Sequence, residues 1–161
     1  MPIRAAVLVA SDRISRGVEV DSSGALAAEL LAPVADVGEV RVVPDEVDLI
    51  AEALHEWCAA GVDLVLTIGG TGLSPRDVTP EATWRVIERE TPGITAALLM
   101  RGLQSTPRAM LSRAVSGVRG RTLIVNLPGS TSAVRELVPF LCEVLPHAAE
   151  VLSGKPEEYR K

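Results

Sequence analysis

The sequence predicts an α/β fold, a three-layer sandwich whose mostly parallel central sheet is flanked by helices. Three observations lead there. Residues 3–10, 62–68 and 123–127 are short, nearly continuous apolar runs, the pattern of strands covered on both faces. Helical periodicity fills the intervals between them, and strands alternating with helices of this length build parallel sheets. With 161 residues, 47% of them hydrophobic and 23% charged, the chain is long enough to bury a continuous core without disulfides or metal staples. A single domain over residues 1–161 is expected, since no repeat, linker or low-complexity tract divides it.

Residues 3–10 form the first, central strand. In residues 22–31, Leu26 and Leu30 share one helical face and Pro33 ends the segment. A short strand follows at 40–43. Asp48 is expected to cap a helix in which Ile50, Leu54, Trp57 and Cys58 keep an i, i+4, i+7, i+8 spacing until Gly61 stops it. The strand at 62–68 runs directly into a glycine-rich loop. Thr79 then reads as a helix cap with Pro80 at the first helical position. Residues 122–125 begin the last strand, 126–131 a loop, and Ser132 a helix. Pro139 and Pro146 predict that this final segment is kinked or split in two.

Composition excludes several classes of function. Aromatic residues make up 2% of the chain, and Trp57, Trp84, Phe140 and Tyr159 are too few for a base-stacking platform. A formal net charge of −5 opposes binding to a nucleic-acid backbone. No apolar run of the length that spans a bilayer and no signal segment is present, so no membrane association and a cytoplasmic location are expected. Cys58 and Cys142 lack metal or redox spacing and read as reduced core cysteines. His55 and His147 fall on expected helices and read as structural or solvated. Leu98, Leu99 and Met100 read as core.

In an open parallel sheet, ligands collect at the carboxyl ends of the strands, where helix N-termini present unpaired N–H groups. Three polar loops belong there: Ser11-Asp12-Arg13, Gly69-Gly70-Thr71-Gly72-Leu73-Ser74-Pro75-Arg76-Asp77, and Asn126-Leu127-Pro128-Gly129-Ser130. Gly69, Gly70 and Gly72 let the backbone approach a phosphate closely, and a valine at position 70 is expected to stand where that phosphate lies. Thr71 and Ser74 add hydroxyl donors, and Arg76 supplies a charge that could neutralise phosphate. Asp77 beside such a loop suggests Mg²⁺. Neither a Walker motif nor a dinucleotide fingerprint is present.

The run from Thr67 to Thr83, Thr-Ile-Gly-Gly-Thr-Gly-Leu-Ser-Pro-Arg-Asp-Val-Thr-Pro-Glu-Ala-Thr, closely resembles the signature of the molybdenum-cofactor biosynthesis family that contains molybdopterin adenylyltransferases. Nearly the whole chain takes part. Ser11-Asp12-Arg13, Val43-Pro44-Asp45-Glu46, Glu90-Thr91-Pro92-Gly93, Ala109-Met110-Leu111-Ser112-Arg113 and Leu127-Pro128-Gly129-Ser130 follow in the family's order. One departure is Thr131, where the family often carries proline.

The resemblance implies transfer of AMP from ATP to the terminal phosphate of molybdopterin, with release of pyrophosphate and assistance from Mg²⁺. It implies catalytic or metal-binding roles for Asp45 and Asp77. Gly69, Gly70, Thr71, Gly72, Ser74, Arg76, Pro128, Gly129 and Ser130 would hold nucleotide phosphates. Ser112 and Asn126 match positions associated with the pterin, with Ser11 and Asp12 as further candidates whose alternative role is a helix cap or turn. A homotrimer and transient contact with other proteins of the pathway are also implied. Two other readings stay open: a carrier that binds molybdopterin without turnover, and a nucleotide-derivative pyrophosphatase of the competence-damage-associated family, which the Ser74-Pro75-Arg76-Asp77 wording opposes.

Overall fold

The computed structural model describes residues 2–154, so Tyr159 lies outside the described residues. Its sheet is assembled around the strands that are apolar on both faces. These are β1 (Ile3–Ala10), β3 (Leu64–Ile68) and β6 (Thr122–Leu127), and Arg4 is their only exposed residue. With β2 (Ala35–Val43), β4 (Arg89–Glu90) and β5 (Ser116–Arg119) they form one sheet of order β2-β1-β3-β6-β5-β4. The pairs β1–β2, β1–β3 and β3–β6 are parallel, and β5 and β4 add antiparallel pairs at one end.

Side chains alternate across each strand, so the two faces receive different helices. Val7, Val9, Leu66, Ile68, Val125 and Leu127 pack under α2 (Ser23–Leu31), α5 (Pro92–Leu103), α6 (Thr131–Cys142) and α7 (Leu145–Leu152). Ala6, Leu8, Val65 and Ile124 pack under α3 (Val47–Ala59) and α4 (Thr79–Val86). The expected three-layer α/β sandwich is therefore present. Among the described residues, no helix is long and apolar enough to cross a membrane.

Several local expectations change. Strand β2 starts at Ala35 rather than at residue 40 because it is an edge strand, half exposed along its length, and so lacks an apolar run. Its rim is charged: Arg41 donates to Glu39 (2.7 Å) and Glu56 (2.8 Å), and its guanidinium stacks 4.7 Å from the Trp57 ring. Asp48 does not cap α3. Glu46 holds that position, and Asp48 lies in the first turn, where Arg85 donates to it at 2.8 Å. Thr79 does not cap α4 either, since Val78 precedes the helix and Thr79 and Pro80 are its first two residues.

The final segment does divide in two. Pro139 is tolerated inside α6, and the break falls just before Pro146 at the start of α7. Cys58 and Cys142 are free thiols, half-buried rather than in the core, and burial pushes both above the usual thiol range. His55 on α3 and His147 on α7 are both exposed. Of the three apolar residues expected in the core, Leu98 is buried, whereas Leu99 and Met100 are 36% and 69% exposed.

Candidate active site

Parallel pairing sets the carboxyl ends of β2, β1, β3 and β6 side by side, so Asp45, Ser11 and Asp12, the glycine loop and Pro128 to Ser130 line one edge in that order. The loops meet backbone to backbone. Gly69 has φ +92°, and a Cβ there would lie 2.6 Å from the Ala10 carbonyl oxygen, so only glycine permits this approach. A Cβ on Gly129 would in turn lie 3.2 Å from Gly69 Cα. The Gly69 N–H donates to Leu127 O (3.0 Å), and the Ser11 N–H to Val43 O (2.9 Å).

Three aspartates gather at this edge. The Asp12 N–H donates to Asp45 Oδ2 (2.9 Å) and the Asp45 N–H returns a bond to Asp12 Oδ1 (3.0 Å). Arg76 grips Asp12 with a fork, Nε to Oδ2 at 2.9 Å and Nη2 to Oδ1 at 3.0 Å. That fork, with the bond from Asp45, holds the Asp12 carboxyl below its ordinary range. Sequence alone sets Arg76 against phosphate. One edge of its guanidinium joins the glycine loop to the loop after β1. Asp77 accepts the Ser74 N–H at 3.1 Å, closing a tight turn.

Asp45 stands apart from the other two. Burial pushes its carboxyl above the usual range, and the negative charges of Asp12 and Asp77 push in the same direction. Among the described residues its Oδ1 is buried without a hydrogen-bond partner, as is the hydroxyl of Thr79. Both atoms face Gly70, whose φ is +68°: a Cβ there would meet Thr79 Oγ1 and lie 3.2 Å from Asp45 Oδ1. A side chain at position 70 thus points inward at Asp45 and away from the phosphate position expected from sequence.

The glycine loop leaves several donors unused. The backbone N–H groups of Gly70, Thr71, Gly72 and Leu73 have no acceptor among the described residues. Successive unpaired amides of this kind form an anion seat. Beside it opens a cleft of about 1080 Å³ running between α5 and α6, lined by Thr71, Leu98, Ser112, Leu127, Gly129 and Ala133 among others. Ser112 reaches the cleft and accepts the Ala114 N–H (3.2 Å). Ser130 caps α6 by accepting the Ala133 N–H (3.2 Å), so a side-chain cap starts the helix in which Thr131 is the first residue. Ser11 likewise caps the four-residue helix α1 (Asp12–Ser15), accepting the Ile14 N–H at 3.2 Å.

Asn126 is 2% exposed and its amide is spent inside the protein. Nδ2 donates to Thr67 Oγ1 (2.8 Å) and Thr83 Oγ1 (2.9 Å), and Oδ1 accepts the Val115 N–H (3.0 Å). It ties β3, β6, α4 and the segment after Ser112 together where it lines the cleft. Asn126→Leu is expected to destabilise the fold by about 2–4 kcal/mol, because it strips a buried donor from two hydroxyls and strands an amide. An unfolding free energy in urea lowered by less than about 0.5 kcal/mol would show that the network carries no such weight. Sequence reasoning missed Thr79 as a buried hydroxyl beside Asp45, and Arg113 as a partner of the glycine loop 36 and 41 positions away. No local spacing signals either contact.

Fold and site define an α/β sandwich that presents a run of unpaired backbone amides, three clustered aspartates and an adjoining cleft at the carboxyl edge of its sheet. The chain belongs to the family of the probable molybdopterin binding domain, whose model matches residues 6–147. It is 39% identical over 158 residues to the molybdopterin adenylyltransferase of Helicobacter pylori, covering 94% of this chain and 89% of that protein. It is 41% identical over 165 residues to gephyrin of Dictyostelium discoideum; the match takes in 94% of this chain, which spans only 23% of that longer protein. The crystal structure of the molybdopterin biosynthesis enzyme MoaB from Thermus thermophilus superposes with a TM-score of 0.88 at 46% identity, covering 96% of this chain and 98% of that one.

Proposed function

We propose that this chain, acting as one domain over residues 1–161, is a molybdopterin adenylyltransferase. An oxygen of the terminal phosphate of molybdopterin attacks the α-phosphorus of ATP. A new P–O bond forms, the bond from the α-phosphorus to the bridging oxygen breaks, and pyrophosphate leaves. The nucleophile is already anionic at neutral pH, so no general base is required and catalysis rests on alignment and charge neutralisation. The observation that carries this reading is the run of unpaired amides from Gly70 to Leu73, in a loop whose Gly70, Thr71 and Gly72 line the cleft together with Asp77. The activity named for the Helicobacter pylori relative supports it.

In this reading Gly69, Gly70, Thr71, Gly72 and Ser74 cradle the nucleotide phosphates, with Pro128, Gly129 and Ser130 closing the opposite wall. Ser112 and Asn126, which both line the cleft, meet the pterin there, and Ser11 and Asp12 shape the edge nearest Asp45. Mg²⁺ fits the donor set. Among the described residues Asp45 offers a buried oxygen without a partner, and the three aspartates at this edge do not by themselves make a group able to hold a metal. One or two carboxylates completed by substrate phosphates and water is the usual way this ion is held. Asp45 and Asp77 would hold it, and it would neutralise charge on the phosphates.

A homotrimer fits the exposed Leu99, Met100 and Leu103 of α5 and Met110 and Leu111 beyond it, since exposed apolar patches mark interfaces. Work in the cytoplasm, with transient contact to other pathway proteins, completes the reading. Mixing the protein with ATP, Mg²⁺ and molybdopterin is expected to release pyrophosphate, and Asp77→Asn to slow that release by roughly a hundredfold with both substrates still bound. Binding of molybdopterin by the wild-type chain with no pyrophosphate released would make it a carrier instead.

A further inference from the structure

We infer that Arg113 is a positioning residue that sets the glycine loop's amides facing the nucleotide, an inference that rests on the loop being the seat for ATP phosphates. Arg113 Nε donates to the Gly72 carbonyl at 2.8 Å, and Nη2 donates to the Asp77 carbonyl at 2.6 Å. Its own backbone N–H donates to the Thr71 carbonyl at 2.7 Å. Nη1 pairs with Glu81 at the start of α4. One residue therefore draws in three carbonyls of the loop and anchors itself to the helix that follows.

The consequence is geometric. In a trans peptide the C=O and the next residue's N–H point in opposite directions, and no cis peptide is present among the described residues. Holding Thr71 O and Gly72 O against Arg113 turns the N–H groups of Gly72 and Leu73 the other way. Those two belong to the run that lacks an acceptor. Without the guanidinium the Thr71 carbonyl stays on the Arg113 backbone N–H, but the Gly72–Leu73 peptide unit can rotate and bring a carbonyl lone pair where the Leu73 donor stood.

The guanidinium acts through this backbone rather than by touching the ligand. Lysine could replace one of the bonds but not the fork, because its donors radiate from a single nitrogen. Arg113 also follows Ser112, which lines the cleft, while Val115 just beyond is anchored on Asn126. The clamp thus stands between the two substrate positions and bears on only one of them.

The test is calorimetric titration of a non-hydrolysable ATP analogue with Mg²⁺, and separately of molybdopterin, into the wild-type chain, Arg113→Met and Arg113→Lys. Arg113→Met is expected to weaken nucleotide binding by about tenfold or more while molybdopterin affinity stays within about threefold, and Arg113→Lys to fall between. In turnover, the KM for ATP rises and that for molybdopterin does not. Equal weakening of both ligands, the signature of a merely structural residue, overturns the inference, as does unchanged nucleotide affinity. If Arg113→Met does not fold, Arg113→Lys decides by the same split between ligands. A wild-type chain that binds no nucleotide overturns the functional reading and this inference with it, whereas wild-type binding that survives in both variants overturns this inference alone.

Discussion

Asp45→Asn is expected to reduce adenylyl transfer by roughly a hundredfold or more and, in the absence of ligands, to raise the melting temperature at neutral pH. Both effects come from the same carboxylate. Asp45 is held above its ordinary range by burial and by the charges of Asp12 and Asp77, and its Oδ1 has no partner. A raised pKa in the folded state means that folding favours the protonated acid. Stability is therefore lost as pH rises from the unfolded carboxylate value through the raised folded value, and it stays lower above that window. Asparagine removes the charge, keeps an oxygen for the Asp12 N–H, and can turn its NH₂ toward the region of the unpartnered Thr79 hydroxyl.

A gain of about 2–4 °C is the scale of one favourable substitution in a domain of this size. The gain should vanish at acid pH, where Asp45 is protonated in both folded and unfolded chains. Melting curves for the two proteins across this pH range check it. A variant that is inactive and no more stable than the wild-type chain at neutral pH would mean that the buried charge is already satisfied, and that Asp45 is not a site held strained for its ligand.

Gly70→Val should move stability and function in the same direction. Its φ of +68° is a backbone region that valine rarely enters, and its Cβ would press on Thr79 Oγ1 and lie 3.2 Å from Asp45 Oδ1. Left-handed backbone costs about 1–2 kcal/mol and overpacking a filled interior about 1–3 kcal/mol. Relief requires the loop to shift. That shift carries the amides of Gly70 to Leu73 out of line, so affinity for an ATP analogue is expected to fall by about a hundredfold or more. Urea denaturation and titration of the analogue measure the two halves. Unchanged affinity in a destabilised variant would separate the loop from nucleotide binding.

How far the sequence carried each element follows from where its information lies. The inner strands β1, β3 and β6 were legible because burial on both faces leaves unbroken apolar runs. Strand β2 was cut short because an edge strand is mixed in polarity, and β5 was missed because Ser116 to Arg119 is too short and too varied to form a pattern. The glycine loop was legible because glycine reports a backbone requirement locally. Its chemistry was less so. Arg76 reads as a phosphate ligand, but its fork on Asp12, 64 positions away, has no signal in the sequence. Asn126 lines the cleft, and no local pattern signals that its amide also bonds Thr67 and Thr83. Thr79 and Arg113 act through contacts that only the folded chain brings together.

A crystal structure of the protein with a non-hydrolysable ATP analogue and Mg²⁺ tests the central claim most directly. The account predicts the nucleotide phosphates on the N–H groups of Gly70 to Leu73, with the metal beside Asp45 or Asp77 and the cleft toward Ser112 left open for the second substrate. Phosphates bound anywhere else on the chain, with those four amides still unpaired, would contradict it.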